Sequence, residues 1–240
     1  MYQPRTYRRE HAAEDLTGFN VCVEQSDLHI QALADLSEEA LEATRRGYYA
    51  ILRHIEQRPE FATALTPLEP PGGVEPPMSA MYAAALQVGV GPMAAVAGAM
   101  AQFVGRHLLQ FSAQIIVENG GDIFLSTQTE RVIAIQAGRS PLSGRVGVVI
   151  PAGETLGVCT SSGTVGPSVS FGRADAAVII APDAALADAA ATGLGNRVRE
   201  PADIDEALEW VQTIEGVSGA VVVMDATLGV WGRYEVCPVR

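Results

Sequence analysis

Three short segments of this sequence contain residue types that bind phosphates or metal ions. The first is a turn of Asn119, Gly120, Gly121 and Asp122 between two apolar runs. Adjacent glycines can adopt positive φ and let a ligand approach the backbone. Backbone amides beside polar side chains suit a phosphate or a metal-bound phosphate. The turn is therefore a candidate cofactor-binding element, and the alternative is a two-stranded hairpin with Gly-Gly at its tip.

The second segment is a small glycine-containing loop that follows a predicted strand. Its residues are Thr160, Ser161, Ser162, Gly163 and Thr164. Hydroxyls and backbone amides at this density suit the binding of a phosphate or a carboxylate. The alternative is a solvent loop rich in serine and threonine.

Cys159 immediately precedes that loop and is a candidate catalytic nucleophile. A cysteine acts as a nucleophile when neighbouring positive charge or a helix N-terminus favours its thiolate. Arg173 is the residue that could supply this charge. The alternative is a buried inert cysteine, because free cysteine is among the most buried residue types.

The third segment is a predicted helix that starts at Pro182-Asp183 and runs to about Thr192. Asp188 and Thr192 are four residues apart, so they share one face of this helix. Both are hard oxygen donors that could hold Mg²⁺ if a ligand phosphate and backbone carbonyls complete its shell. Asp188 is thus a candidate catalytic and metal-binding residue, and Thr192 a candidate metal ligand. A solvated aspartate and a helix-end threonine are the alternative.

Composition restricts the class of protein and its partners. The chain has 240 residues, 48% hydrophobic and 6% aromatic, which is enough for one large domain or two closely packed halves. The formal net charge is −12 and all 16 basic residues are arginine, so we predict no nucleic-acid partner. The three cysteines are widely spaced without a CxxC pair, which argues against a zinc site or a disulfide framework.

The apolar segments are too short to predict membrane insertion. The longest, Met93 to Val104, is interrupted by Gly98 and Gln102 and falls short of the roughly 20 residues of a membrane span. The arginines near the amino terminus are not followed by an apolar stretch, so we predict no signal peptide. These observations predict a cytoplasmic protein without a membrane partner.

The chain divides into three segments of one predicted domain, 1–240. Residues 1–65 contain a hairpin and a helix over 37–58. Residues 66–77 contain five prolines, which exclude a helix or a central strand and predict a connector or a lid over a cleft. Residues 78–240 form the core.

Strands and helices alternate irregularly in the core segment. Helices are predicted over residues 78–87, 93–110, 182–192 and 203–211. Strands are predicted over residues 113–117, 123–125, 132–136, 146–150, 157–160, 176–181, 217–224 and 229–236. Because no βαβ period is present, the order favours an α+β fold with antiparallel or mixed sheets covered by helices.

The polar segments, in their order and spacing, resemble motifs of the ApbE family, the FAD:protein FMN transferases. Residues 117–123 resemble its Gly-Gly-Asp turn, residues 177–194 its metal-binding strand and helix, and the loop after Cys159 its Thr-Ser-Gly turn. The resemblance is closer to a compact ApbE-like family of uncharacterised function from archaea and anaerobic bacteria. Residues 157–166 reproduce the pattern of that family nearly throughout, and the resemblance covers roughly residues 78–235.

This resemblance implies an ApbE-like α+β fold with a cleft bounded by the three polar segments. It implies Mg²⁺ held by Asp188, Thr192 and a backbone carbonyl near Gly91, with a flavin or adenine nucleotide against Gly120-Gly121. The implied partner is a small phosphate-bearing ligand. A homodimer is a further expectation. A protein partner in sulfur metabolism is another, because the compact family has been linked with sulfur incorporation in homocysteine formation.

The chain departs from the transferases at two places that matter for activity. They have a Lys-Gly pair before their long helix, where this chain has Gly91-Pro92-Met93 and no lysine anywhere. They have a His-x-x-Asp-Pro segment after the Ser-Gly turn, where residues 167–172 contain no histidine. Both departures argue against transfer of FMN to a threonine.

Three functions follow as hypotheses. The first is a Mg²⁺-dependent, transferase-like enzyme in which Asp188 and Thr192 hold the metal that orients the phosphates of a flavin or nucleotide. The second is a non-catalytic accessory or binding protein on the same fold, serving a sulfur-transfer assembly. In the third, Cys159 is a persulfide carrier.

Overall fold

The computed structural model describes residue 13 and residues 15–163 and 172–239. The first half of the described chain contains β1 (Thr17–Val23), β2 (Ser26–Ala32), α1 (Ser37–Gln57), α2 (Glu60–Thr63), α3 (Met78–Val88), α4 (Val96–Leu108), β3 (Ile115–Asn119) and β4 (Asp122–Ser126). The second half contains β5 (Arg131–Ala134), β6 (Val146–Ile150), β7 (Thr155–Ser161), β8 (Ala176–Ala181), α5 (Ala184–Arg197), α6 (Ile204–Gln212), β9 (Gly219–Met224), β10 (Thr227–Gly232) and β11 (Val236–Pro238). Short 3₁₀ turns, Pro92–Ala95 and Pro201–Asp203, precede α4 and α6.

The strands of the described residues form two antiparallel sheets. One has eight strands in the order β1-β2-β3-β4-β7-β8-β9-β10, and the other has three in the order β11-β6-β5. In three hairpins a two-residue turn connects the two strands. These turns contain four residues with positive φ, namely Glu24, Gly120, Gly121 and Asp225. Such turns match the twist of the adjoining strands. The structure confirms the predicted α+β fold with antiparallel sheets and helices.

The large sheet lies between a helical layer and the small sheet. Successive strand residues point to opposite faces, so Ile115 and Val117 pack with the helices, whereas Ile116 packs with Val148 and Ile150 of the small sheet. β8 and β9 are buried along their whole length. The continuous apolar runs of these two strands follow from their burial on both faces.

Most elements shift by one to three residues at their ends, and two differ more from their predicted bounds. The predicted strand 229–236 is two strands, β10 and β11, in different sheets. β10 ends at Gly232, where φ is 114°. An added Cβ at this residue would lie 2.4 Å from Gly219 Cα. α5 continues past Thr192 and Gly193 to Arg197. An added Cβ on Gly193 would lie 2.5 Å from the Trp210 ring. This glycine accommodates packing rather than ending the helix.

The helices of the described residues include none that is alone long and apolar enough to cross a membrane. Met78–Val88 and Pro92–Leu108 reach the required length and composition only together, as a pair bent by 109°.

A polar cluster joins α1 to the proline-rich segment, which contains no helix or strand. His54 Nε2 lies 2.9 Å from Tyr82 Oη, and Arg58 Nη1 donates to Tyr82 Oη at 3.3 Å and to Glu69 O at 3.0 Å. His54 and Tyr82 are buried. Burial, followed by the nearby charge of Arg58, lowers the pKa of His54.

We expect His54 to reduce the stability of the protein in mild acid. Its folded-state pKa lies below the unfolded value of about 6.5, so stability is lost as pH falls from that value through the folded pKa. A His54→Gln variant keeps a hydrogen-bonding side chain without a titrating charge. It should lose less free energy of unfolding than the wild type between about pH 7.5 and about pH 5, measured by urea denaturation. Equal losses in the two proteins would contradict this assignment.

Candidate functional site

Two of the three polar segments meet at the first turn of α4. Asn119, at the end of β3, donates from Nδ2 to Ala97 O at 3.2 Å. Asp188, from α5, accepts a hydrogen bond of 2.9 Å at Oδ2 from Gly98 N. The end of β3 and the middle of α5 are therefore joined through one turn of helix.

The third segment, at the end of β7, joins the same cluster through Asp122. Asp122 Oδ1 accepts a hydrogen bond of 3.2 Å from Thr160 N. Asp122 also pairs with Asn119 across the β3–β4 hairpin. The structure thus brings together Asn119, Asp122, Thr160 and Asp188, all predicted from the sequence. We call Asp122 and Asp188 the carboxylate pair.

The Gly120-Gly121 turn is a two-residue hairpin tip. The φ angle is 72° at Gly120 and 111° at Gly121, values that favour glycine. Gly121 N donates to Glu118 Oε1 at 2.9 Å, so one amide expected to face a phosphate already has an acceptor. An added Cβ at Gly121 would meet no atom within 4 Å. The turn is open to the approach of a ligand, and its phosphate role stays a prediction.

Both members of the carboxylate pair are buried, and burial raises their pKa. The pKa of Asp188 rises to about 7 through burial, although hydrogen bonds from Gly98 and Ala97 lower it. The pKa of Asp122 lies well above its usual range because of burial and the charge of Asp188. Neither carboxylate forms an ion pair with a described residue. Buried acids with perturbed pKa values mark candidate functional sites.

Cys159 lies beside the carboxylate pair in surroundings that favour its thiol. It is fully buried, and its Sγ donates to Ala184 O at 3.4 Å. Burial and the charges of Asp122 and Asp188 raise its pKa well above the usual value. A reactive thiolate needs neighbouring positive charge, and Arg173, the predicted source of that charge, is exposed. The catalytic role of Cys159 stays a prediction that this geometry does not favour.

Two glycines let α5 begin in close contact with β7 and α4. An added Cβ on Gly157 of β7 would lie 2.4 Å from Ala184 Cα, and one on Gly98 of α4 would lie 2.1 Å from Ala184 O. Closely packed backbones of this kind require residues without a side chain. Ala184 begins α5, one turn before Asp188, so these contacts determine where Asp188 lies.

The other predicted metal ligands come from α5 and the turn before α4. Thr192 is half-buried and lies one turn beyond Asp188. Gly91 O accepts a hydrogen bond of 3.0 Å from Ala94 N, within a turn that contacts α5. These oxygens lie on elements that pack together, and metal binding by them stays a prediction.

The remaining residues of the serine-rich loop lie at the end of β7 and beyond. Ser161 Oγ lies 3.5 Å from the position that a Cβ on Gly195 would occupy, so it faces the last turns of α5. Ser162 is half-buried and Gly163 is exposed. Thr164 lies outside the described residues.

The donors present fit Mg²⁺ only when oxygens other than carboxylates contribute. Among the described residues, no three histidine, cysteine, aspartate or glutamate side chains form a group that could hold a metal ion. Mg²⁺ commonly keeps several waters and binds through one or two carboxylates plus substrate phosphates. Asp188, a buried hard donor, and Thr192 fit this pattern.

Several polar contacts of the site were not predicted. Gln102 Nε2 donates to Asp183 Oδ2, and Ala184 N donates to Gln102 Oε1, both at 2.8 Å. Asp183 Oδ1 also caps α5 by accepting from Leu186 N at 3.0 Å. Gly98 and Gln102 interrupt the alanine-rich α4 four residues apart. That spacing places both on one face of the helix and could have indicated the strip that contacts α5.

Protein families give the first comparison. A family model described as AbpE bacteria matches residues 8–232. A UPF0280 protein of Methanocella arvoryzae is 44% identical over 181 residues, which cover 75% of this chain and 74% of the relative. A UPF0280 protein of Methanothrix thermoacetophila is 42% identical over 217 residues, covering 88% of this chain and 90% of the relative.

Solved structures give the second comparison. The ApbE protein of Thermotoga maritima matches with a TM-score of 0.56 at 13% identity, over 89% of this chain and 96% of that chain. The apo flavinyl transferase ApbE of Pseudomonas stutzeri matches with a TM-score of 0.53 at 13% identity, over 90% and 93%. Likeness at such low identity shows the fold alone. The chain therefore has the ApbE fold, and it belongs to the family described as AbpE bacteria.

Proposed function

We propose that this protein is a cytoplasmic, Mg²⁺-dependent, transferase-like enzyme that binds the phosphates of a flavin or adenine nucleotide at the carboxylate pair. The observation that carries the proposal is Asp188, a buried carboxylate with a pKa raised to about 7 and no described ion-pair partner. A buried ionised carboxylate is costly unless a cation neutralises it. Mg²⁺ bound there would remove that cost.

The two carboxylates would take different roles. A hydrogen bond from Gly98 N orients Oδ2 of Asp188. Asp188 and Thr192 would hold the ion. Burial and the charge of Asp188 both raise the pKa of Asp122, which favours its protonated form. Two carboxylates at one site commonly separate their pKa values in this way. When bound, Mg²⁺ would supply charge neutralisation and a template for the phosphates.

Flavin is favoured as the ligand because two solved structures with this fold are named as flavin or flavinyl transferases. Transfer of FMN to a threonine is not part of the proposal. The lysine and histidine that accompany that reaction in the resembling family are missing from the corresponding positions of this sequence.

A second candidate is a non-catalytic binding protein that serves sulfur incorporation with a partner protein. The environment of Cys159 favours this over a persulfide carrier, because the buried thiol lies beside two carboxylates rather than beside a cation. Any sulfur would then be carried by the partner. Ligand binding without turnover would distinguish this candidate from the enzyme.

Thermal unfolding with FAD, FMN and ADP, each with and without Mg²⁺, tests the proposed function. A ligand that binds only the folded state adds about 2.7 kcal/mol of stability at a hundredfold excess over Kd. We expect FAD or ADP to raise the Tm only when Mg²⁺ is present. A Tm unchanged by every nucleotide in both conditions would contradict the proposal. Hydrolysis of FAD to AMP and FMN, with water as the acceptor, would separate the enzyme from the binding protein.

Thr192→Val is the matched test of the hydroxyl ligand, because valine keeps the shape of threonine without its oxygen. We expect about a tenfold weaker Mg²⁺ response, equal to about 1.4 kcal/mol. Thr227→Val, at an exposed position of β10, serves as the control. Equal responses in the two variants would remove Thr192 from the site.

A further inference from the structure

An open cleft, which we call the cavity, lies on the helical layer, and the two arginines that line it, Arg46 and Arg106, are exposed. Its volume is about 560 Å³, and it is bounded by α1, α4 and the Pro76-Pro77 step that leads into α3. Small-molecule sites in proteins commonly measure about 300 to 1,000 Å³. The cavity is therefore large enough for a small organic ligand.

α4 borders both the cavity and the carboxylate pair, and Ala99 and Gln102 of its first half line the cavity as well. Gly98, in its first turn, donates to Asp188, whereas Arg106 and His107 line the cavity. The eight-residue separation of Gly98 and Arg106 corresponds to about 12 Å of helix. Arg106 is thus displaced along the helix from the residue that contacts Asp188, so a change at Arg106 tests the cavity without altering that contact.

The charged lining of the cavity is mainly basic. Arg46, Arg106 and His107 line it together with one carboxylate, Asp183. Both oxygens of Asp183 already accept hydrogen bonds, from Gln102 Nε2 and from a backbone amide. Neither arginine forms an ion pair with a described residue. Two arginine cations that line one cavity in a chain of net charge −12 attract anions locally.

The rest of the lining is largely apolar. The Arg46 guanidinium lies 5.1 Å from the centroid of the Phe103 ring, a cation–π contact that fixes the cation over an apolar surface. Pro76, Pro77 and Ala99 also line the cavity. The cavity therefore has complementary surface for both the anionic group and the apolar body of a small ligand.

We propose that this cavity binds a small organic anion, a molecule with a carboxylate or phosphate group on an apolar body. Arg46 and Arg106 would hold the anionic group through charge-assisted hydrogen bonds. Phe103 and Pro77 would contact the body. Neither Mg²⁺ nor the carboxylate pair takes part, so the cavity would bind its ligand even if the proposed function were wrong.

Phenyl phosphate and benzoate are suitable probes, titrated calorimetrically into the full chain in EDTA. We expect both anions to bind the wild type and neutral benzyl alcohol to bind at least tenfold more weakly. Arg106→Gln and Arg46→Gln should each raise the Kd of phenyl phosphate by about tenfold, since each removes a charge-assisted contact.

Arg53→Gln is the matched control, because Arg53 is an exposed arginine of α1 that does not line the cavity. It should leave the Kd of phenyl phosphate unchanged. Failure of both anions to bind the wild type would overturn the proposal. Equal weakening by Arg53→Gln and Arg106→Gln, or equal binding of benzyl alcohol, would also overturn it.

Discussion

An Asp188→Asn variant is expected to lose the Mg²⁺ response of the protein and to be more stable than the wild type without ligand. Asparagine keeps an oxygen that can accept from Gly98 N, the contact that Asp188 makes at 2.9 Å. It removes the negative charge that Mg²⁺ needs and that burial penalises. Function and stability should therefore change in opposite directions at this residue.

The stability gain should depend on pH in a defined direction. The folded-state pKa of Asp188 is about 7, above its ordinary value of 3.8. Stability contributed by the protonated form is therefore complete below the ordinary value and is lost as pH rises through the folded pKa. Asparagine does not titrate, so its advantage should be small near about pH 4 and reach about 1 to 3 kcal/mol near about pH 8.

Urea denaturation at these two pH values, with and without Mg²⁺ and nucleotide, measures both effects. Glu209→Gln, an exposed carboxylate of α6, is the control and should change neither quantity. A Mg²⁺ response that survives in Asp188→Asn would exclude Asp188 as the metal ligand. A stability difference that does not grow with pH would mean that Asp188 is not a buried titrating group.

A Gly157→Ala variant is expected to lose about 3 kcal/mol of stability, the upper part of the range for overpacked cores. The added methyl would lie 2.4 Å from Ala184 Cα and 3.1 Å from Ala184 N. These are backbone atoms at the start of α5, so a side-chain rotation cannot relieve the clash. α5 would have to shift, and Asp188 with it.

Gly72→Ala is the matched control for this variant, since an added Cβ at Gly72 would meet no atom within 4 Å. Its effect on the free energy of unfolding should stay within about 0.5 kcal/mol. Urea denaturation measures both changes, and the Mg²⁺ response of Gly157→Ala reports the displacement of Asp188. Equal stability of the two variants would show that α5 can move away from β7 at little cost.

Local pattern was sufficient to predict most of the elements. β6 and β8 have the predicted bounds, because continuous apolar runs ended by polar or turn residues indicate buried strands. The prediction was wrong over residues 229–236, which form two strands in two sheets. The sequence does not mark Gly232 as the end of a strand, because its position there depends on a close contact with Gly219 in the neighbouring strand.

The order of residues along the chain is sufficient to name the residue types that could form the site and the three segments that contain them. Tertiary packing is what brings Asp188 to Gly98, 90 residues away in the chain, and Thr160 to Asp122, 38 residues away. It also placed Cys159 beside two carboxylates instead of a cation. Burial and charge act through space, so the pKa of a side chain depends on neighbours that no spacing along the sequence reveals.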